Sequence, residues 1–149
     1  MKRGFTLLEI LIVLAILGIL CGLSVAAFVN LKNAQTLDRD TDLVVESLRQ
    51  ARSQTLTAVN DTNYGIHFSS NQFTLFAGST YDPNASTNKV FNLNGSKIIV
   101  GQPGFVGFNV VFGRLSGETD QQTGQIMIQS PSGTSRIITL YKTGLVEFQ

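Results

Sequence analysis

Cysteine is almost absent from this chain of 149 residues: Cys21 is the single one. One cysteine cannot close an intramolecular disulfide, so a fold held by internal disulfides is excluded. Cys21 lies inside a long apolar run, where an unpaired cysteine usually behaves as a small apolar side chain. Histidine is equally scarce, with His67 alone, and zinc sites are built mainly from several cysteines and histidines. We therefore predict no metal site and no cofactor.

Charge is sparse as well. Charged residues make up 14% of the sequence, and the formal net charge is +1. Beyond residue 30, nine basic residues balance nine acidic ones, so the small excess of positive charge lies at the N-terminus. Nucleic-acid-binding domains usually carry a basic patch or stripe. This composition therefore predicts no nucleic-acid partner.

Catalytic patterns are missing from the sequence. His67 lies in an alternating segment typical of a strand, which favours a structural or exposed role. No serine stands in a Gly-x-Ser-x-Gly motif. Asp82, Glu118 and Asp120 fall in polar loops, but they lack the regular ligand spacing of a calcium loop. We predict that the protein is not an enzyme.

One long apolar run is present. Residues 10–29 contain no charged side chain. At about 1.5 Å per residue they form a helix of about 30 Å, the thickness of a bilayer's hydrocarbon core. Lys2 and Arg3 precede the run, which predicts a cytoplasmic N-terminus. Glu9 stands at the mouth of the run and needs an explanation, because a carboxylate at the centre of a span costs about 2.5–3.5 kcal/mol and less near its edge.

Three interpretations of this stretch compete. A secretory signal peptide would explain the small residues at positions 24–26, but its apolar core is usually shorter and free of acids such as Glu9. A plain single-pass anchor would explain the length of the run and leaves Glu9 without a role. The third interpretation uses the whole stretch from the basic residues to the end of the run.

The sequence KRGFTLLE at residues 2–9 resembles the class III leader of type IV prepilins and type II secretion pseudopilins. The resemblance covers about 30 residues and implies that prepilin peptidase cuts between Gly4 and Phe5. It also implies that Phe5 becomes the N-methylated first residue of the mature chain, with Glu9 as the fifth. Glycine suits the cleavage site because it lets a protease approach the backbone closely.

Glu9 then has a role in assembly. The methylated amine of Phe5 stays cationic, and a carboxylate from the same or a neighbouring subunit can pair with it in low dielectric. Such a pair would fix the axial register between packed apolar helices, as a buried polar residue does in a coiled coil. Gly18 and Gly22 form a GxxxG spacing, which is compatible with close helix packing.

A second helical segment follows. Its apolar and small residues recur at spacings of three and four, which predicts an amphipathic helix over residues 30–60 that packs on a sheet. Glu46 and Arg49 form a plausible pair on the opposite face. Together with the first segment it would make a rod of about 80 Å. The predicted stripe consists of Ala34, Leu37, Thr41, Val44, Leu48, Ala51, Thr55 and Ala58.

The period changes to two from residue 64 onward, which predicts an antiparallel β domain over residues 61–149. Asn94-Gly95 is a strong hairpin signal and is expected to join two paired strands. Tight turns are expected at residues 131–133 and 143–144. The predicted strands span residues 64–68, 72–77, 89–93, 97–100, 105–112, 124–129, 135–141 and 145–148.

The C-terminal series of strands and glycine turns, over about 40 residues, is similar to that of GspH/FimT-type minor pseudopilins. It runs through VVFGR at residues 110–114, GQIMI at 124–128, RIITL at 136–140 and GLV at 144–146. Some pilus-side members bind DNA through basic residues near the C-terminus. Residues 144–149 of this chain contain no arginine, which counts against DNA uptake.

The predicted fold is α+β and pilin-like: a prepilin leader (1–4), a transmembrane and filament-core helix (5–29), an amphipathic helix (30–60) and a periplasmic antiparallel β domain. The resemblance implies a minor pseudopilin of a type II protein secretion system, or alternatively a minor pilin in type IV pilus biogenesis. Its partners would be prepilin peptidase, other pilins or pseudopilins, the bacterial inner membrane and secreted cargo. A membrane-anchored periplasmic binding module is the alternative of another class.

Overall fold

The computed structural model describes residues 4, 6–101, 109–120 and 123–148, and it has an α+β, pilin-like architecture. A helix of 50 residues, α1 (Leu7–Leu56), leads the chain. A short 3-10 turn (Val59–Asp61) ends the helical part. Eight strands follow, at β1 (Tyr64–Phe68), β2 (Gln72–Ala77), β3 (Lys89–Asn92), β4 (Lys97–Gly101), β5 (Asn109–Phe112), β6 (Gly124–Gln129), β7 (Ser135–Leu140) and β8 (Val146–Phe148).

The β domain packs against the second half of α1. The predicted stripe is confirmed over most of its length, since its members from Leu37 to Thr55 are buried. Ala34 is exposed, and Ala58 lies beyond the helix in a left-handed conformation. The helix therefore ends at Leu56, a few residues before the predicted end. The charged side chains of the opposite face are exposed, except for the half-buried Arg52.

The strands form two four-stranded sheets. The first has the order β3-β2-β1-β5, and the second has the order β4-β6-β7-β8. All pairings are antiparallel, as predicted. Both sheets contact α1, and one core of buried apolar side chains joins the helix to the two sheets. Its largest fully buried members include Phe68, Phe73, Phe112, Ile126 and Leu140.

The predicted hairpin at Asn94-Gly95 is wrong. Strands β3 and β4 flank this turn but do not pair, because β3 pairs with β2 and β4 pairs with β6. The turn instead carries the chain from the first sheet to the second, with Gly95 at φ +112°. Asp40 on α1 explains the difference. Its carboxylate accepts the backbone N–H groups of Asn94 and Ser96 at 3.1–3.3 Å.

The other two predicted turns are confirmed as hairpin turns. Gly133 joins β6 to β7 with φ +88°, and Gly144 joins β7 to β8 with φ +77°. The predicted strands at residues 64–68, 72–77 and 124–129 match β1, β2 and β6. Of the predicted strand at 105–112, residues 105–108 lie outside the described residues.

No helix within the described residues is long and apolar enough to cross a membrane. The transmembrane helix over residues 5–29 therefore stays a prediction.

Candidate assembly site at the N-terminus

Thr6 caps the first turn of α1. Its backbone is extended (φ −82°, ψ 151°), and its Oγ1 accepts the backbone N–H of Glu9 at 3.2 Å. The Thr6 carbonyl oxygen accepts the N–H of Ile10 at 3.3 Å. A threonine three residues before a glutamate is the sequence signature of a helix start, because each end of the pair can satisfy an otherwise unpaired N–H group. The helix therefore begins just after the predicted cleavage site.

Glu9 lies in this first turn with its side chain exposed. A negative charge there interacts favourably with the helix dipole, by about 0.3–1 kcal/mol. Within the described residues, the ion pairs are Arg114–Asp61 and Arg136–Asp38, so the Glu9 carboxylate is left for a partner outside them. Phe5, whose amine is the predicted partner, lies outside the described residues.

Gly4 is exposed and precedes the helix, and a Cβ atom built on it would meet no atom within 4 Å. A protease binds its substrate most readily where the backbone is exposed and not helical. The geometry at Gly4 is thus compatible with cleavage there. Cleavage itself stays a prediction.

The rest of the first half of α1 forms an uncovered apolar surface. We call residues 6–32 the N-terminal arm. Every described side chain in it, at residues 6–22 and 28–32, is exposed. An apolar surface of this length marks an interaction site, because soluble monomers rarely leave such a surface in water. The arm's large exposed side chains include Leu7, Leu8, Leu11, Val13, Leu14, Ile16, Leu17, Ile19, Leu20 and Phe28.

Gly18 and Gly22 lie one helical turn apart, on the same face of the arm. A Cβ atom built on either would meet nothing within 4 Å. Neither glycine is therefore required by packing inside this chain. Their spacing would let another helix approach the backbone closely.

Comparison with protein families gives a match at this same segment. The family model described as the prokaryotic N-terminal methylation motif matches residues 1–25. This match supports a type IV pilin-like N-terminus. This motif implies processing by prepilin peptidase and assembly with other pilins. No curated protein and no solved structure matches the chain.

The match confirms the resemblance of the prepilin leader at the level of type IV pilin-like proteins. It covers the first 25 residues of 149 and does not distinguish a secretion system from a pilus. The finer likeness to GspH/FimT-type minor pseudopilins stays a prediction. Pilin-like proteins with this motif have a structural role.

His67 lies on β1 and contributes to packing. Its ring stacks on Tyr81 with centroids 4.0 Å apart, and its Nδ1 lies 2.6 Å from Asn109 Oδ1. Tyr81 also contacts Phe76 on the same strand pair. The loop between β2 and β3 is thereby held against the first sheet. This placement fits the structural role expected for the histidine.

Two of the three loop acids accept hydrogen bonds from nearby backbone. Asp82 Oδ1 accepts the N–H of Asn84 at 2.9 Å, and Asp120 Oδ1 accepts the N–H of Val111 at 3.2 Å. In the described part of the chain, no group of three or more potential metal-ligating side chains comes together.

Two side-chain interactions in the structure were not predicted from the sequence. One is made by Asp40, which lies three residues after Leu37 and four before Val44, on the buried face of α1. Near the C-terminus, the Tyr141 hydroxyl donates to Glu147 Oε2 at 3.0 Å. This hydrogen bond, and then the negative charge of Glu147, raise the pKa of Tyr141 above 10.0.

Proposed function

We propose that the chain is a minor pseudopilin of a type II protein secretion system, similar to the GspH/FimT type. Prepilin peptidase cuts between Gly4 and Phe5 and methylates the new amine of Phe5. The observation that supports this most strongly is the N-terminal methylation motif over residues 1–25. A helix cap at Thr6, two residues after the exposed Gly4, supports it further.

Before assembly, the protein is a single-pass protein of the bacterial inner membrane. Its N-terminus is cytoplasmic, as the basic residues of the leader require, and its β domain is periplasmic. Cleavage frees the amine without releasing the anchor. On extraction, the N-terminal arm exchanges lipid for the arms of other subunits, so its apolar side chains stay out of water in both states.

Within the filament, Glu9 pairs with the methylated amine of Phe5 in a neighbouring subunit. A charge placed among apolar helices is costly alone and much less so when paired. The pair therefore favours one axial offset between neighbours over all others. Gly18 and Gly22 form the close-packing face of the same helix.

The periplasmic β domain faces outward and contacts other minor subunits or secreted cargo. A minor pilin of a type IV pilus is the second candidate, because both systems use the same kind of N-terminus. A neighbourhood of secretion-system genes or of pilus genes would decide between the two.

The mature N-terminus provides the first test. We expect mass spectrometry of the protein purified from its membranes to find a chain that starts at N-methylated Phe5. Replacing Gly4 by a bulkier residue should leave the leader attached, because the protease needs access to the backbone. A mature start at Ala27 would indicate a signal peptide, and an intact Met1 a plain anchored binding module; either result would contradict the proposal.

Glu9 provides the second test. We expect Glu9→Leu to leave membrane insertion and cleavage intact and to lower incorporation into filaments by about tenfold or more, because the Phe5 amine loses its partner. Incorporation would be measured by immunoblotting of sheared filament fractions. Glu46→Leu is the matched control, since Glu46 is an exposed acid on the same helix. Normal incorporation of Glu9→Leu would show that this subunit does not use the pair, as for a tip subunit with no neighbour ahead.

A further inference from the structure

A cavity of about 430 Å³ lies at the C-terminal end of α1, between the end of β2 and the start of β3. Its volume falls within the range of about 300–1,000 Å³ that is typical of small-molecule sites. Tyr64, Leu75 and Phe76 supply its apolar lining. The cavity belongs to the β domain and is separate from the N-terminal arm.

Two side-chain oxygens of residues at this cavity are buried and find no hydrogen-bond partner among the described residues: Gln54 Oε1 and Asn88 Oδ1. The Asn88 amide has a defined orientation, because its Nδ2 donates to the carbonyl oxygen of Asp82 at 2.7 Å. Its oxygen is therefore the acceptor that is left over. Unpartnered buried acceptors are rare in folded proteins, because each gives up a hydrogen bond to water. Both residues line the cavity, so a side-chain rotation that turns either oxygen toward it would let a ligand supply the missing donor.

The charged residues at the cavity indicate which net charge a ligand can carry. Of the described residues that line it, Lys89 is charged and none is acidic. A cationic ligand would meet the charge of Lys89 with no carboxylate to compensate. An anionic ligand would bring further acceptors to two oxygens that already lack donors. The lining therefore favours a neutral ligand that carries hydrogen-bond donor groups.

The polar groups also match a hydroxyl-bearing ligand. The Tyr64 hydroxyl accepts the Asn60 Nδ2–H at 3.2 Å, which leaves its own proton to donate. A sugar hydroxyl can donate to an amide oxygen and accept from a tyrosine at once. Ser86 and Thr87 add hydroxyls at the rim.

We propose that this cavity binds a neutral saccharide. Hydroxyl groups of the sugar donate to Gln54 Oε1 and Asn88 Oδ1, and the apolar face of the ring lies against Tyr64 and Leu75. The terminal torsion of a glutamine is broad, so Gln54 turns its oxygen toward the bound hydroxyl at little cost. Next to the cavity, the backbone of Ala58 (φ +48°) and Asn60 (φ +52°) is in the left-handed conformation, which is uncommon for residues other than glycine. Such strained backbone conformations cluster at ligand sites.

The test is a titration of the full chain with chitotriose and maltotriose, followed by ligand-observed NMR. The protein is kept in dodecylphosphocholine, because a detergent with a sugar headgroup would compete for the cavity. We expect saturable binding of at least one trisaccharide. The variant Gln54→Leu should weaken binding by about tenfold or more. It should not lower the unfolding temperature, because it removes a buried acceptor that has no partner in the free protein.

Gln50→Leu is the matched control, since Gln50 lies one turn earlier on α1 and is exposed. It should bind like the unmodified chain. Three results would overturn the proposal. They are no saturable binding of either trisaccharide, binding that Gln54→Leu leaves unchanged, and Gln54-dependent binding of methylammonium or tetraglycine in place of the sugars. The filament proposal is tested at Phe5 and Glu9, so either proposal can fail without the other.

Discussion

Replacing Asp40 by alanine is expected to destabilise the β domain by about 1–3 kcal/mol. Asp40 is fully buried, and its two carboxylate oxygens accept the N–H groups of Asn94 and Ser96. Alanine would leave these two backbone donors without a partner at a turn where the chain passes between sheets. A buried donor without a partner costs about 1–3 kcal/mol. Ser96 is buried and carries this cost, whereas water can reach the N–H of the exposed Asn94. A domain of this size has a total stability of only about 5–15 kcal/mol, so the loss is a large share.

Urea unfolding of the full chain, followed by circular dichroism, measures this effect. Asp42→Ala is the control, because Asp42 is an exposed acid on the same helix and its loss should change stability by about 0.5 kcal/mol or less. Asp40→Asn should fall between the two, since an amide keeps one acceptor and turns a donor toward the second N–H. If Asp40→Ala were as stable as Asp42→Ala, the carboxylate would not hold the turn.

Replacing Gly144 by alanine is expected to cost about 3–5 kcal/mol. Gly144 has φ +77°, and a Cβ atom there would lie 2.0 Å from the carbonyl oxygen of Gly117. A backbone atom cannot move aside as a side chain can. The same carbonyl accepts the Nε–H of Arg52, whose Nη2 also donates to Thr143 O, both at 3.3 Å. Moving the turn would therefore detach two loops from the helix.

The variant Gly133→Ala separates the cost of a left-handed alanine from the cost of the clash with a neighbouring backbone atom. Gly133 occupies the equivalent turn between β6 and β7, with φ +88°, and a Cβ atom built on it would meet no atom within 4 Å. The substitution should cost only about 1–2 kcal/mol, the penalty for a left-handed alanine. Thermal unfolding of the two variants side by side gives the comparison. Equal losses would mean that the close approach at Gly144 has no energetic weight.

Local patterns predicted the elements well. Alternation and turn residues placed β1, β2 and β6 at the observed bounds, and spacings of three and four identified most of the buried stripe of α1. These signals depend on neighbours within a few positions of the chain. Even at Asn94-Gly95 the chain bends as expected, with Gly95 at a positive φ.

The pairing of β3 and β4 could not be predicted in the same way. Whether a turn closes a hairpin depends on which partners its flanking strands find, and here Asp40 holds the turn from 54 residues away. No window of local sequence contains that interaction. The split into two sheets follows from it, since β3 stays with β2 and β4 begins the second sheet.

The N-terminal site and the cavity also differ in whether their residues are close together in the sequence. The residues from Gly4 to Glu9 are contiguous, so the prepilin-like leader could be recognised from sequence, and a family match supports it. The helix cap at Thr6 was also present in the sequence as a threonine three positions before a glutamate. By contrast, Gln54 and Asn88 meet at one cavity only because the 3-10 turn and the first sheet bring the end of α1 to the start of β3.

The order of the elements has a consequence for folding during synthesis. The helix α1 is made first, yet the strands that cover its stripe come later, and Asp38 contacts Arg136 across 98 residues. Contacts of such separation form slowly. The hydroxyls of Thr41 and Thr55 bond to carbonyls of their own helix at 2.7 and 2.9 Å, so they need no strand to satisfy them. Until the last strands are synthesised, the stripe of α1 is exposed on the nascent chain. Because the stripe is only weakly apolar, its exposure adds little to the tendency of the chain to aggregate.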